Sequence, residues 1–261
     1  MNANDAYLKL LRELTTNRSP HDVASPRNQG TLEILARIST VDMDSPVVTI
    51  PARELDYQFM AAEAYWILSG DRRLSHQSLV KNLLKYSDDG NTMNGAYGPP
   101  FLQQVKYVVD KLHEDVMSRQ AVMTLWERSP RVSKDIPCTI SLQFILRRGY
   151  IHTNVFMRSS DAWLGWPYDI FTFTMMTHYV RGSLNIGLDM GTLSLFAGSQ
   201  HLYVRNMAQA TKLAATEDHG DNLVISTHHI LHPGDLMDCL SVIRNDKSDC
   251  AIAQMRKLLC H

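Results

Sequence analysis

The sequence predicts an α+β fold, in which a large mixed sheet is flanked by helices within a single domain spanning residues 1–261. Some segments repeat apolar residues at helical spacing, whereas others alternate or form the short apolar runs that are typical of strands. The two kinds of segment are interspersed, and no repeat or linker divides the chain. A chain of this length can bury a sizeable core.

The helices are predicted from apolar stripes and from their end signals. Tyr7, Leu8, Leu11 and Leu14 stand at helical spacing near the start of the chain. A second amphipathic segment stops at the Gly70-Asp71 pair, and Pro167 is placed to open a later helix. The predicted helices cover residues 5–15, 53–68, 101–117, 167–180 and 202–213.

The strands are predicted from short apolar or alternating runs between turn residues. Two of them are joined by Arg147-Arg148-Gly149 and are expected to form a hairpin. Residues 19–30 and 87–100 are expected to be loops, and the sequence shows no clear pattern after residue 233. The predicted strands cover residues 31–40, 47–50, 120–126, 139–146, 150–157 and 192–197, with a weaker one at 223–228.

Composition excludes several functional classes. The net charge of −1 gives no chain-wide electrostatic case for nucleic-acid binding, so an anionic ligand needs local arginines. The four cysteines show neither metal-ligand nor disulfide-framework spacing, and we expect no metal. The sequence has no basic-then-apolar leader and no apolar run long enough for a membrane span. We therefore expect a cytoplasmic protein without a membrane partner.

Cys138 is the most informative residue, because several chemically matched residues come after it. It precedes an apolar run, and basic, hydroxyl and acidic residues occur at intervals beyond that run. Taken singly, a cysteine in this position is usually a small core residue, and Asp169 is an ordinary carboxylate at a helix start. Taken together, the residues provide a thiol nucleophile with the polar groups needed to attack a pyrimidine nucleotide. They are Cys138, Arg158, Ser159, Asp161, Asp169, His201 and Tyr203.

The stretch from Ile136 to Tyr203 resembles the thymidylate synthase superfamily, which includes the phage pyrimidine-nucleotide hydroxymethylases. Four motifs carry the resemblance and occur in the family's order: the Pro-Cys start, Arg-Ser-x-Asp, Gly-x-Pro-x-Asp and His-x-Tyr. Upstream, the segment around Glu63 resembles a helix of the family that ends in Gly-Asp. Asn94 to Gly98, with Tyr97, resembles its active-site tyrosine loop.

The resemblance implies covalent catalysis with 5,10-methylenetetrahydrofolate as co-substrate and a pyrimidine nucleoside monophosphate as substrate. Cys138 would add to carbon 6 of the ring, while Glu63, Tyr97 and Asp169 would complete the catalytic set. The remaining site residues would bind the substrate. They are Arg27 in a phosphate loop, Arg119, Arg158, Ser159 and Asp161, with His201 and Tyr203 at the sugar.

The resemblance also implies a homodimer that packs sheet face against sheet face and shares its active sites. Arg119 would be contributed to the site of the partner subunit. Gln120 stands where a second such arginine is expected, so phosphate binding would be weaker or would use Lys134 or Arg131.

Asp169 favours a cytosine nucleotide, dCMP or CMP. The uracil enzymes of the family have Asn at this position, whereas a carboxyl group that carries a proton can pair with the ring nitrogen and exocyclic amine of cytosine. Thr139 and Met157 replace the usual His and Gln of the synthases, as in the T-even phage deoxycytidylate hydroxymethylase. The alternative is a simple change of Asn to Asp in an enzyme that acts on dUMP.

Two departures from the synthases favour a hydroxymethyl product over a methyl product. Leu83 stands at the position of the tryptophan that covers the folate, and residues 257–261 do not resemble the closing tail of the synthases. Both changes favour the entry of water. The alternatives are a dUMP-acting synthase or hydroxymethylase, a dCMP methylase, and a relative that binds nucleotides without catalysis.

Overall fold

The computed structural model describes residues 1–16, 23–24, 28–74, 83–225, 232–246, 252–253 and 255. It confirms the α+β class. The helices are α1 (Ala3–Thr16), α2 (Tyr57–Leu68), α3 (Gly98–Glu114), α4 (Trp166–Leu184), α5 (Met207–Ala214) and α6 (Pro233–Asn245). The strands are β1 (Val23–Ala24), β2 (Gly30–Asp42), β3 (Val122–Thr124), β4 (Thr139–Arg147), β5 (Tyr150–Asp161) and β6 (Asp189–Tyr203).

In the described part of the chain the strands form one sheet in the order β1-β2-β6-β5-β4-β3. The pair β5 and β6 is parallel and is connected through α4, whereas the other neighbours are antiparallel. The expected hairpin joins β4 and β5, with Arg147 opposite Tyr150. Arg148 and Gly149 both have positive φ, at 53° and 82°, as a two-residue hairpin turn requires.

Helices cover one face of the sheet and enclose the core. Along α1, Tyr7, Leu8, Leu11 and Leu14 are buried, as their spacing predicts. Most of α4 is buried, including Phe171 and Phe173. A helix that is apolar on nearly every side belongs inside a protein, and α4 thereby links the sheet to α2, α3 and α6.

The residue pairing of three adjacent strands, β5, β6 and β2, is interrupted at the same level. Met157 pairs with Ala197 and Ser159 with Ser199, but no pairing joins Arg158 to Gly198 between them. The ladder between β2 and β6 is interrupted at the same height, opposite Ala36, whose φ is 52°. A Cβ atom on Gly198 would lie 3.1 Å from the carbonyl oxygen of Arg158, so the strands approach closely there.

This kink exchanges the two faces of the strands. Directly before it in β5 and β6, the odd-numbered residues are buried, among them Met157 and Ala197. After it, the even-numbered residues Ser160, Gln200 and Leu202 are buried instead. Side chains at 159, 201 and 203 consequently leave the core face and are only partly buried.

The structure contradicts some of the predicted elements. Residues 47–50 form no strand, because the side chain of Asn4 accepts the hydrogen bond of the Thr49 amide (2.7 Å). Residues 223–225 are irregular, and the rest of that predicted strand lies outside the described residues. The predicted helix at 202–213 begins only at Met207, because β6 continues to Tyr203 and pairs there with β2.

Helix α6 was not predicted. It begins with Pro233, its start is capped by a reciprocal pair between His232 and Asp235, and it buries Leu236, Leu240 and Ile243 against α2 and α4. No described helix is both long and apolar enough to cross a membrane.

Candidate active site

Cys138 directly precedes β4 and lies beside the guanidinium group of Arg158. The Nη2 atom of Arg158 is 3.7 Å from the Sγ atom of Cys138. The same side chain donates hydrogen bonds to the carbonyl oxygens of Pro137 (2.9 Å, from Nε) and Ile136 (3.0 Å, from Nη2). Arg158 therefore fixes the backbone of the thiol and places a positive charge next to it, which favours a thiolate.

Tyr97 lies on the other side of this segment. Its hydroxyl oxygen accepts a hydrogen bond from the amide of Thr139 (3.3 Å), and its ring stacks on Phe173 at 6.4 Å between centroids. Burial, together with the negative charges of Cys138 and Asp169, raises the pKa of Tyr97 above its ordinary value. The phenol therefore keeps its proton at neutral pH, and its O–H can donate a hydrogen bond to a substrate.

The start of α3 fixes Tyr97 relative to α2. A Cβ atom on Gly98 would lie 2.5 Å from the carbonyl oxygen of Ile67 and 3.0 Å from the Cα atom of Gly70. Only glycine permits this approach. The tyrosine loop is thus held against the end of α2, the helix that carries Glu63.

Asp169 and Glu63 form a pair of carboxyl groups with raised pKa values. Asp169 lies in the first turn of α4, where its Oδ2 atom is 3.2 Å from the place that a Cβ atom on Gly165 would take. Burial, followed by repulsion from Asp161, raises the pKa of Asp169 to about 7. Burial, followed by repulsion from Asp169, raises the pKa of Glu63 to about 8. Either group can therefore exchange a proton near neutral pH.

Ser159, His201 and Tyr203 lie together beyond the kink. The hydroxyl oxygen of Ser159 is 3.4 Å from Nδ1 of His201. The rings of His201 and Tyr203 meet edge to face at 5.3 Å. Because these side chains are partly open to solvent, they can offer hydroxyl and imidazole groups to a sugar or a phosphate.

Asp161 has a structural task in this conformation. Its carboxylate accepts hydrogen bonds from the amides of Trp163 (2.8 Å) and Leu164 (3.0 Å) and so forms the turn that leads into α4. The buried Arg53 holds the same turn, because it donates to the Trp163 carbonyl oxygen and lies 4.2 Å over the Trp163 ring. The predicted contact of Asp161 with substrate stays a prediction.

One predicted binding residue, Arg119, lies away from this group, and another falls outside the described residues. Arg119 is exposed, and its carbonyl oxygen accepts a hydrogen bond from Gln143 (3.0 Å). Gln143 is five residues along the strand from Cys138, which corresponds to about 16 Å of extended chain. Arg27 lies outside the described residues.

The sequence did not reveal some of the surrounding contacts. The Trp126 ring lies 5.9 Å from the Arg158 guanidinium carbon, and Asp135 bonds the tyrosine loop. Asp135 stands next to a recognised motif, but the partners of both residues are distant in sequence. Among the described residues, no group of three or more His, Cys, Asp and Glu side chains could hold a metal ion.

The fold and the site define a class of protein. A cysteine between a guanidinium and a tyrosine hydroxyl, with two proton-exchanging carboxyl groups nearby, is the arrangement of a thiol-dependent enzyme that combines covalent and acid–base chemistry. The family model of thymidylate synthase matches residues 5–232. The chain belongs to the thymidylate synthase family, whose enzymes transfer a one-carbon unit from methylenetetrahydrofolate to a pyrimidine nucleoside monophosphate.

The raised pKa of Asp169 predicts how stability changes with pH. A carboxyl group with a raised pKa stabilises the native state fully below its unfolded pKa of about 4, and this contribution is lost as pH rises through the folded value. Wild-type protein should lose stability between about pH 5 and about pH 9, and Asp169→Asn should lose less, by on the order of 1 kcal/mol or more. Urea unfolding at both pH values measures this, and parallel losses in the two proteins would contradict the assignment.

Proposed function

We propose that the protein transfers a one-carbon unit from 5,10-methylenetetrahydrofolate to carbon 5 of dCMP or CMP and releases the 5-hydroxymethyl nucleotide. The observation that carries the proposal is the pair of positions of Cys138 and Asp169. The thiol adjoins a fixed guanidinium. The carboxyl group that replaces the usual Asn has a pKa of about 7.

Cys138 is proposed as the nucleophile. As a thiolate it adds to carbon 6 of the pyrimidine, and the electron pair of the 5,6 double bond makes carbon 5 nucleophilic. Methylenetetrahydrofolate supplies an electrophilic one-carbon group. After carbon 5 has bonded to that carbon, the proton on carbon 5 is removed and the carbon–nitrogen bond to the folate breaks. Water adds to the resulting exocyclic methylene, and Cys138 leaves as a thiolate.

Asp169 is proposed to select cytosine. A protonated carboxyl group donates to the ring nitrogen, and its carbonyl oxygen accepts from the exocyclic amine. At a pKa of about 7, Asp169 holds a proton in much of the protein at neutral pH. Glu63, with a pKa of about 8, is suited to hold and move the proton of the water near the ring.

A second observation favours a cytosine substrate over the alternative of a dUMP enzyme in which Asn has simply changed to Asp. Thr139 and Met157 replace residues that are usual in the synthases, and the two are direct partners in the β4–β5 ladder. Both side chains are buried on the core side of the nucleophile. The replacements therefore form one local change next to Cys138, which accompanies the Asp at 169.

The phosphate and the sugar of the nucleotide are proposed to contact residues of β5 and β6. Arg158 and Ser159 are proposed to bind the 5′-phosphate, because a guanidinium suits phosphate and the Ser159 hydroxyl is half open. His201 and Tyr203 are proposed to bind the 3′-hydroxyl. Exposed Leu164 and half-buried Trp163, in the turn before α4, offer an apolar surface for the folate ring.

The product is proposed to be hydroxymethyl because Leu83 would cover the folate less than the tryptophan of the synthases does, and residues 257–261 do not resemble their closing tail. Leu83, where the synthases have tryptophan, is partly buried and packs on the core. Methylation of dCMP and the dUMP reactions remain the alternatives within the family. A relative without catalysis is supported by two residues, Leu83 and Gln120, and Gln120 is exposed at the position of a phosphate-binding arginine.

A homodimer is proposed to form through the uncovered sheet face. Ile38, Phe196 and Phe156 are neighbours across three strands on that face, and the two phenylalanine rings stack at 4.9 Å. Ile38 is 53% exposed and Phe156 is 36% exposed. An apolar stripe of this kind fits a second copy of the chain. Arg119, remote from Cys138 in its own chain, would then serve the partner's site.

The nucleophile is tested by Cys138→Ser. The wild-type protein should form a covalent adduct with a 5-fluoro cytosine nucleotide in the presence of methylenetetrahydrofolate, since fluorine at carbon 5 blocks the proton loss. The variant should form no adduct and lose turnover by about 1000-fold or more, because a serine hydroxyl stays protonated at neutral pH. Intact-protein mass spectrometry detects the adduct, with Cys239→Ser as the matched control. Full activity of Cys138→Ser would rule out the mechanism.

Base selection is tested by Asp169→Asn. An amide matches the ring N–H and carbonyl of uracil, but unlike a carboxyl group it has no acidic proton to share with the ring nitrogen of the cytosine adduct. The variant should lose about 100-fold or more in kcat/KM for dCMP and gain activity on dUMP. Mass spectrometry of the products from dCMP, CMP, dUMP and UMP gives both the base and the added group. Wild-type preference for dUMP, or a methyl product, would contradict the proposal.

The dimer is tested by Phe156→Asp. A carboxylate in the apolar stripe would be buried without a partner in the dimer, so the variant should shift toward monomer by about 100-fold or more in dimer dissociation constant. Sedimentation velocity measures the shift. Tyr107→Asp, exposed on α3, is the control and should leave the dimer intact. A wild-type protein that is monomeric at micromolar concentration would overturn the proposal.

A further inference from the structure

Two loops meet beside the nucleophile, and Asp135 joins them. One is the tyrosine loop, residues 94–98, and the other is the nucleophile segment, residues 133–138. The Asp135 Oδ2 atom accepts a hydrogen bond from the amide of Gly95 (2.6 Å). The Asp135 carbonyl oxygen accepts another from the side chain of Asn94 (3.0 Å). One residue therefore holds two consecutive residues of the tyrosine loop.

The contact is closely packed as well as hydrogen-bonded. A Cβ atom on Gly95 would lie 3.0 Å from the backbone nitrogen of Pro137 and 3.1 Å from Oδ1 of Asp135. The backbone of Gly95 therefore lies directly against the nucleophile segment. Neither loop can shift along the other without breaking this contact.

Cys138 lies between this contact and a second one. Tyr97 comes two residues after Gly95, and Cys138 comes directly after Pro137. The second contact is the hydrogen bond from the Thr139 amide to the Tyr97 hydroxyl oxygen (3.3 Å). Arg158 holds the carbonyl oxygens of residues 136 and 137 from β5. The thiol is thus fixed by β5 through Arg158 and by the tyrosine loop through Asp135.

The electrostatics of Asp135 agree with a specific role. The carboxyl group is half-buried, and burial raises the pKa of Asp135 while the Gly95 amide opposes that rise. A buried carboxylate costs free energy unless hydrogen bonds offset the cost. The short bond from the Gly95 amide is of the charge-assisted kind that does so.

We infer that Asp135 is a positioning residue for the addition step, and that its bond to Gly95 sets the separation between the Cys138 thiol and the Tyr97 hydroxyl. The inference rests on the proposed function, because it concerns two groups that act on the same pyrimidine ring. Addition of a thiolate to a ring carbon depends steeply on the placement of the reacting groups. Asp135 itself need not touch the substrate.

The test compares Asp135→Ala with Asp135→Asn. Alanine removes the acceptor, so kcat and the rate of adduct formation should fall by about 10- to 100-fold. The KM for the nucleotide should change by less than about threefold, because Arg158, Ser159, His201 and Tyr203 stand on strands that this bond does not hold. Asparagine keeps an acceptor oxygen, so its kcat should stay within about threefold of the wild-type value.

A double-mutant cycle with Tyr97→Phe separates positioning from general support. If Asp135 acts through Tyr97, the loss caused by Asp135→Ala should be smaller in the Tyr97→Phe background, so the two effects are less than additive. A residue that only supports the fold would give additive losses. Additivity, or wild-type kcat in Asp135→Ala, would overturn the inference.

Asp88→Ala is the matched control, because Asp88 bonds to the nucleophile segment from outside both loops. Asp88 accepts hydrogen bonds from the Ser133 hydroxyl (2.6 Å) and the Lys134 amide (2.9 Å) but does not bond to the tyrosine loop. Its removal should leave kcat within about threefold of the wild-type value. An equal loss in Asp88→Ala and Asp135→Ala would overturn the inference.

Should Asp135→Ala fail to fold, Asn94→Ala provides a second test. It removes the hydrogen bond from Asn94 to the Asp135 carbonyl oxygen and should lower kcat while KM is preserved. An unchanged kcat would count against the inference.

A substrate-independent measurement separates this inference from the proposed function. Absence of any adduct in the wild-type protein would overturn the proposed function alone. Alkylation of Cys138 by iodoacetamide, with peptide mass spectrometry as the readout, then reports the surroundings of the thiol directly. The alkylation rate of Cys138 should differ from the wild-type rate in Asp135→Ala and should equal it in Asp135→Asn. Equal rates in all three proteins would overturn the inference.

Discussion

The hydrogen bonds from Arg158 to the carbonyl oxygens of Ile136 and Pro137 are the interaction on which the site depends. They join the middle of the sheet to the segment that carries the thiol. A guanidinium group can do this because it presents several donors in one plane, so the same side chain satisfies the backbone and still faces Sγ. A lysine at this position would supply charge without the fork. Arg158 thus both fixes the backbone and stabilises the thiolate electrostatically.

The kink in the sheet makes this geometry available. In a regular strand, residues 155, 157 and 159 would share one face, and Ser159 would point into the core. The interruption at Arg158 and Gly198 changes the alternation, so the strands keep an apolar core on one side of the break and present polar side chains on the other. Local irregularity in a sheet next to an active site is a recurring way to redirect side chains. It costs ladder hydrogen bonds, and the close approach at Gly198 is part of that cost.

Local patterns predicted the features that depend on neighbouring residues. The hairpin was predicted from Arg147 to Gly149, and α1 from its leucine spacing. The motifs around Cys138, Arg158, Asp169 and His201 indicated the family that the comparison then established. The predictions that failed depend on distant partners. Residues 47–50 form no strand because Asn4 takes an amide of that segment, and Leu202 and Tyr203 belong to β6 only because β2 lies beside them. The kink and the Asp135 contact have no local signature either.

The two carboxyl groups show why such a site is costly to build. Asp169 and Glu63 are kept in surroundings that disfavour their charged forms. The charge of Asp161 further opposes ionisation of Asp169, and the charge of Asp169 opposes ionisation of Glu63. A fold selected for stability alone would have amide or apolar groups here. The surrounding structure offsets the cost, because α2 and α4 bury large apolar surfaces that do not depend on either carboxyl group. Proton exchange near neutral pH is therefore located on two well-packed helices, which hold both carboxyl groups in fixed positions.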